Sequence, residues 1–245
     1  MLRLGCISWN VHRARGNDGL VDPNRTVDTL VNEVWKPGIS VLCLQEADAE
    51  QFPFNGILDA TRIEKATGLV SVHRHRHTRS HPTSLGFLGT AVFVAPEMEI
   101  GEVRLVDMAG VYPRGAVIVD ANHQNVAFRL IATHLSLSQI LRMTQLRTVA
   151  QHLSRFDQRP SILCGDLNEW RPWGGWAFSR AVLRETFRGS APATFPVTRP
   201  ILPLDRFLVN EQGQIETAEA LDGPAIQATS DHRPLYAQIT LEGPR

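Results

Sequence analysis

The stretch ILCGDLNEW, from Ile162 to Trp170, decides how this chain is read. A short apolar run of the kind that forms a buried strand opens directly onto an acid and an amide, Asp166 and Asn168, one leucine apart. Such an exit is either turn filler or one wall of a site. The arrangement recurs along the chain. ISWNVH leads into Asn10, VLCLQEAD into Glu46, LIATHLS into His134, LPLDRFLV carries Asp205, and ATSDHRPL carries Asp231 and His232.

The runs between these exits set the expected frame. Residues 2–11 and 39–45 read as buried strands. Between them, Asp22 and Pro23 open a helix whose Val27, Leu30, Val31 and Val34 share one face, and Gly38 ends it. A second helix is expected over 55–66. Strands are expected over 69–73, 87–95, 103–106, 116–119, 126–133, 161–164, 206–209 and 235–241. Helices are expected over 138–156 and 174–185, with a proline-punctuated loop after the latter. Many strands with few helices predict two packed sheets with helices on the outside, as one domain over 1–245.

Bulk composition narrows the function. Hydrophobic residues make up 43% and charged residues 20%, enough for a sizeable core. A formal net charge of +0 lacks the basic excess of a dedicated nucleic-acid binder. Cys6, Cys43 and Cys164 lie inside apolar runs without C-x-x-C spacing, which predicts reduced core thiols and a cytoplasmic setting. No window is long and apolar enough for a transmembrane segment, which leaves transient contact with a membrane surface open.

The strand-exit residues are Asn10, Glu46, His134, Asp166, Asn168, Asp205, Asp231 and His232. Carboxylates and carboxamides suit a hard divalent cation, Mg²⁺ with Mn²⁺ as the alternative, and the imidazoles suit a phosphate. Each residue also has a plainer reading. Asn10 fits a turn, Glu46 and Asp48 fit solvated acids opening a helix, and Asp166 with Asn168 fits an Asx turn. Asp205 fits a surface partner of Arg206, and the SDH triplet fits a cap. Six separate strand exits that all carry metal- or phosphate-competent groups favour the site.

SWNVH, LQEAD, THLSLS, GDLNEW, LDRFLV and SDHRPL, in this order, resemble the endonuclease/exonuclease/phosphatase superfamily from Ser8 to Leu235. That superfamily includes deoxyribonucleases, AP endonucleases, neutral sphingomyelinases and inositol polyphosphate 5-phosphatases. The resemblance implies a four-layered α/β sandwich of two mostly antiparallel sheets, and a metal-dependent phosphoester hydrolase. It implies metal-side roles for Glu46, Asn10 and Asp231, and a water- and phosphate-orienting pair in Asp166 and Asn168. It also implies a phosphate-facing His232 oriented by Asp205, with His134 as the HL histidine. The substrate is expected to be a small or lipid-linked phosphate, with an endonuclease or exonuclease on DNA or RNA as the alternative. Arg114 and Arg199 are expected to meet the substrate, Arg199 from a loop that selects it.

The chain departs from the family pattern at Thr90, in GTAVFV, where members often carry an asparagine. Tyr112 and Tyr236 are its only tyrosines, and neither has the setting of the AP-endonuclease active-site tyrosine. His73, His75 and His77 would share one face if their segment were a strand, but read better as a solvated or phosphate-attracting loop. Trp170, Trp173 and Trp176 read as core anchors of the next helix or as a rim beside the site.

Overall fold

Alternation along the strands sorts apolar side chains onto two faces, and two sheets result. The computed structural model describes residues 1–243, so the last two positions of the expected unit lie outside the described residues. The first sheet contains β1 (Leu2–Asn10), β2 (Ile39–Gln45), β3 (Val70–Ser71), β4 (Ala91–Val94), β10 (Gly213–Ala220) and β11 (Leu235–Leu241). Its strand order is β10-β11-β1-β2-β4-β3. The second runs β5 (Glu99–Met108), β6 (Arg114–His123), β7 (Val126–His134), β8 (Ser161–Asp166) and β9 (Asp205–Val209). Each sheet has one parallel pair, β1 with β2 and β7 with β8; the other pairings are antiparallel.

One face of each long strand points between the sheets. Leu2, Leu4 and Cys6 of β1, Phe128, Leu130 and Ala132 of β7, and Ile162 and Cys164 of β8 meet there. The opposite faces pack outward. Ile7, Trp9, Leu42 and Leu44 bury against α1 (Pro23–Thr29), its π-helical continuation Leu30–Val34, α2 (Ala60–Thr67) and α5 (Pro224–Thr229). Ile131, Leu163 and Leu208 bury with Leu146 and Val149 of α3 (Gln139–Leu153) and Val182 of α4 (Arg180–Leu183). The order is helix, sheet, sheet, helix, the four-layered sandwich expected. All three cysteines are free and buried, and Cys43 and Cys164 face each other across the sheets at 3.5 Å.

Several boundaries moved for local reasons. Asp59 caps α2 by accepting the Arg62 N–H at 3.0 Å, so that helix starts at Ala60 and not at 55. The expected helix over 174–185 shrinks to α4, because Gly174 and Gly175 adopt positive φ of 82° and 53°. The edge strand β10 and the short α5 escaped prediction. GQIETAEA is too polar to read as a strand, and β10 is a half-exposed edge. The histidine run bends into a turn over Arg76–Thr78, so no shared strand face forms. His73 alone is buried, between Thr78 O and Val92 N. No helix among the described residues is long and apolar enough to cross a membrane.

Candidate active site

The inter-sheet face that is apolar through the core turns polar at one end of five strands. On β1 the series Leu2, Leu4, Cys6 continues to Ser8 and Asn10; on β7 it ends at His134, and on β8 at Asp166. β2 ends in Gln45, which fills this face by bonding Ser8, and the chain then turns. Glu46 makes that turn with φ 56°. Register then aligns the set. His134 stands opposite Asp166, and Asp166 opposite Asp205, across three adjacent strands. Gly165 makes this possible: its φ is 133°, and a Cβ there would lie 1.8 Å from Thr133 O.

Asp166 is the hub. Its Oδ2 accepts Asn10 Nδ2 at 3.0 Å across the two sheets, and lies 3.3 Å from His134 Nε2 and 3.7 Å from His232 Nε2. Its Oδ1 accepts the Asn168 N–H at 3.1 Å, an Asx turn and a site residue at once. Asn168, at φ 52°, donates its carboxamide N–H to Leu135 O at 2.9 Å. His232 Nδ1 lies 2.8 Å from Asp205 Oδ2, which also accepts Thr194 Oγ1 at 2.6 Å. Phe195 packs against the imidazole at 5.0 Å between centroids.

The two histidines are driven to opposite charge states. Burial alone would discharge His232, but the Asp205 and Asp166 carboxylates overcome it and push its pKa up to about 10. Burial wins at His134, whose pKa falls to about 3 despite Asp166, with Arg114, His232 and Arg13 adding to the fall. A neutral His134 that donates from Nε2 to Asp166 presents a bare Nδ1, 3.9 Å from Glu46 Oε1.

Arg13, which the sequence reading passed over, reaches Glu46 Oε2 at 3.0 Å and Glu50 at 3.6 Å. It sits in a run of three left-handed residues, His12 to Ala14, anchored where Asn10 Oδ1 accepts the His12 N–H at 3.0 Å. Glu46 is mostly buried, its side chain 12% exposed, and its pKa is raised by that burial, against the pull of Arg13 and Arg114. Its Oε2 has no hydrogen-bond partner, the ion pair with Arg13 notwithstanding. Arg114 lies over the same recess with its Nε buried and unpartnered, as is that of Arg13. A nearby positive charge stands where a cation would be welcome.

Other expected residues fall elsewhere. Asp231 is on the flank, 3.6 Å from His12 Nδ1, and no contact joins it to Glu46 among the described residues. Arg199 is exposed on a turn closed by its own N–H on Pro196 O, with no ionic contact to the cluster. Tyr112 is exposed, its ring 5.9 Å from the Arg114 guanidinium. Asp48 neither opens a helix nor meets solvent: it is buried and accepts the N–H groups of Leu85, Gly86 and Gly89. It thereby fixes the loop whose Gly89 O receives Ala47 N, behind Glu46. Thr90 ends that loop buried, its hydroxyl unpartnered. Asp205 is not a surface partner of Arg206, since both are buried and Arg206 spends its donors on backbone carbonyls.

Asp166, Asp205 and His232 offer ligand atoms all within 4.8 Å of one another, a spacing compatible with a metal ion. Their bonding argues for a different use. An imidazole held protonated between two carboxylates has no lone pair for a metal. Orphan carboxylate oxygens occur in both places, Glu46 Oε2 and Asp205 Oδ1, but the Glu46 carboxylate is not hydrogen-bonded to an imidazole, and its recess fits a hard cation better.

A four-layered sandwich with acids, amides and imidazoles on one rim defines a class of phosphoester-processing folds. The chain belongs to the Endonuclease/Exonuclease/phosphatase family, whose model matches residues 7–232. Members act on phosphoesters, generally with a metal ion. Uncharacterized protein YbhP of Escherichia coli strain K12 is 31% identical over 163 residues, which cover 64% of this chain and 64% of that protein. An endonuclease/exonuclease/phosphatase structure from Bacteroides vulgatus covers 99% of this chain and 100% of its own at 15% identity and TM-score 0.76. The mannosyl-6-phosphatase Bt3783 of Bacteroides thetaiotaomicron covers 97% and 100% at 16% identity and TM-score 0.70.

Proposed function

We propose that this chain, acting as one catalytic domain over 1–245, is a Mg²⁺-dependent hydrolase. Its substrate is a small or lipid-linked phosphoester, attacked in line by water. The observation that carries the reading is the charged series Asp205–His232–Asp166, hydrogen-bonded at Asp205 and an ion-pair contact of 3.7 Å at Asp166, with Asn10 bonded to the same Asp166 carboxylate and His134 beside it. Glu46 and Asn10 would hold the ion, with Asp231 supporting from the flank and Mn²⁺ as a substitute. When bound, such an ion withdraws charge from a phosphoryl oxygen and stabilises a developing alkoxide.

The remaining steps belong to the side chains. Asp166 takes the proton of the attacking water, which Asn168 holds through its carboxamide oxygen. His232, protonated and oriented by Asp205, donates from Nε2 to a phosphoryl oxygen, where charge builds in the transition state. Arg13 and Arg114 line the recess with Glu46 and His134 and would bring positive charge to the phosphate itself. Arg199 would meet the rest of the substrate from outside. The free, buried thiols suit a reducing cytoplasm.

A metal-dependence screen over p-nitrophenyl phosphate, bis-p-nitrophenyl phosphate, phospholipids and plasmid DNA tests the proposal. Turnover of a monoester, diester or lipid that EDTA abolishes and Mg²⁺ restores is expected. A net charge of +0 offers no long-range attraction for a polyanion. Turnover confined to DNA and falling steeply with salt would replace this reading with a nuclease.

A further inference from the structure

Beside the site lies a rim of large apolar side chains that the catalytic reading does not use. Leu137 and Ile140 follow His134 in the chain and are 74% and 77% exposed. Trp173 and Trp176 follow Asn168 and are 76% and 68% exposed, with Trp170 half-exposed before them. They anchor no core. Solvent-facing clusters of this kind mark interaction surfaces.

The rim is built and not frayed. The segment after Asn168 has little regular structure, yet buried guanidiniums hold it. Arg206 donates to Glu169 O at 2.9 Å, Arg171 O at 2.7 Å and Pro172 O at 3.1 Å. Arg142, also buried, donates to Ser136 O and Leu137 O, and its Nη2 reaches Glu169 Oε2 at 3.3 Å. Arg171 joins the two segments through Gln139 Oε1 at 2.6 Å, and its guanidinium lies 5.0 Å from the Trp170 ring. Burying two arginines to hold a loop costs desolvation, and the product is a preset display of tryptophans.

Charge identifies the occupant. Residues 135–156 and 170–184 contain no Asp or Glu, and Glu169 between the active-site pair and the tryptophans is buried and paired. Arg147 is exposed in the first of these segments; Arg180 and Arg184 are exposed in the second, but share a recess with Glu185 and Glu211. Arg147 follows Ile140 by seven residues on α3, which places both on one helix face. An apolar rim whose own two segments carry cations and no acid complements an anionic bilayer, where indole rings favour the headgroup level. A nucleic-acid platform would need π-faces throughout, and Leu137 and Ile140 have none.

We propose that this rim docks the protein on an anionic phospholipid bilayer. Leu137, Ile140, Trp173 and Trp176 enter the headgroup region, and Arg147 meets lipid phosphates. Docking names a surface for the phosphoester site to face and in that respect rests on the preceding reading, but it is measured without turnover.

Flotation with phosphatidylcholine vesicles, plain or containing phosphatidylglycerol, tests it. The protein is expected to float with the anionic vesicles, with a blue-shifted tryptophan emission, and far less with the plain ones. Trp173→Ala/Trp176→Ala and, separately, Leu137→Ser/Ile140→Ser should each cut the bound fraction about tenfold. Both should keep the activity on bis-p-nitrophenyl phosphate, and His232→Ala should float like the parent. Absence of flotation at low salt, or flotation unchanged in both double variants, overturns the proposal. So does a dimer in sedimentation, or retention of single-stranded DNA, that the same variants abolish while vesicles go unbound.

Discussion

His232 and Asp205 touch at 2.8 Å, and neither has another route to its role: Asp205 is fully buried, and Thr194 occupies the same carboxylate oxygen. The two should therefore behave as one unit. His232→Ala is expected to lower kcat by about 10²–10⁴, and Asp205→Asn by less, because the ring stays but loses its stabilised charge. The double variant should resemble His232→Ala alone. Steady-state kinetics on the three decide this, and multiplicative losses would separate the residues. Glu46 and Arg13 make an opposed pair. Glu46→Gln removes the charge a hard cation needs and should weaken Mg²⁺ binding in calorimetry. Arg13→Gln removes a competing cation 3.0 Å away, so it should tighten Mg²⁺ while raising KM. Equal effects of the two substitutions on Mg²⁺ would remove Arg13 from the recess.

At the scale of elements, β8 holds the site in register because Gly165 lets it approach β7. Gly165→Ala would force a Cβ against Thr133 O from a left-handed backbone, and should cost roughly 1–3 kcal/mol from strain alone, before the clash is counted. Urea unfolding measures it; a change within error would mean that the backbone relaxes freely there. The loop 194–203, expected to select substrate, contributes Thr194 and Phe195 to the His232–Asp205 pair. Thr194→Val should thus lower kcat on a minimal diester with little change in KM. A shift in KM alone would return the loop to substrate selection. Nothing in the periodicity around Thr194 marks it, since its partner lies across a proline-rich loop and not along a strand.

For the whole molecule, buried histidines set the pH response of the metal-free protein. His134 and His73 have pKa values lowered to about 3 and about 4 from an ordinary 6.5. The unfolded chain binds protons that the fold refuses, so stability falls as pH drops below about 6.5. His232 has the opposite sign. Its pKa is raised to about 10, so its contribution is full below 6.5 and is lost as pH rises toward 10. Each group changes stability by at most about 1.4 kcal/mol per pH unit within its window. Thermal melts of EDTA-treated protein should fall on both sides of a maximum near the ordinary histidine pKa. His232→Gln should flatten the alkaline limb while leaving the acid limb. An unchanged alkaline limb would show that His232 is not held charged.

The strand exits were legible because alternation is local: a residue's face follows from its parity, and Leu2, Leu4, Cys6, Ser8, Asn10 carry the change from apolar to polar in plain order. The helix, sheet, sheet, helix layering followed from the same periodicity, together with the family resemblance of the motifs. Sequence alone thus marked the strand ends at which the inter-sheet face turns polar. It could not say which of them touch, because contacts across two sheets depend on register and on backbone turns outside any strand. Only the tertiary structure made Asp166 the hub, set Asp231 on the flank and left Arg199 outside. It also brought Arg13 to Glu46 through left-handed residues that periodicity does not encode. The opposite charges of His134 and His232 were decided there too. Burial pulls both rings toward neutrality; the hydrogen-bonded Asp205, with Asp166, reverses it at His232, while Arg114, His232 and Arg13 reinforce it at His134.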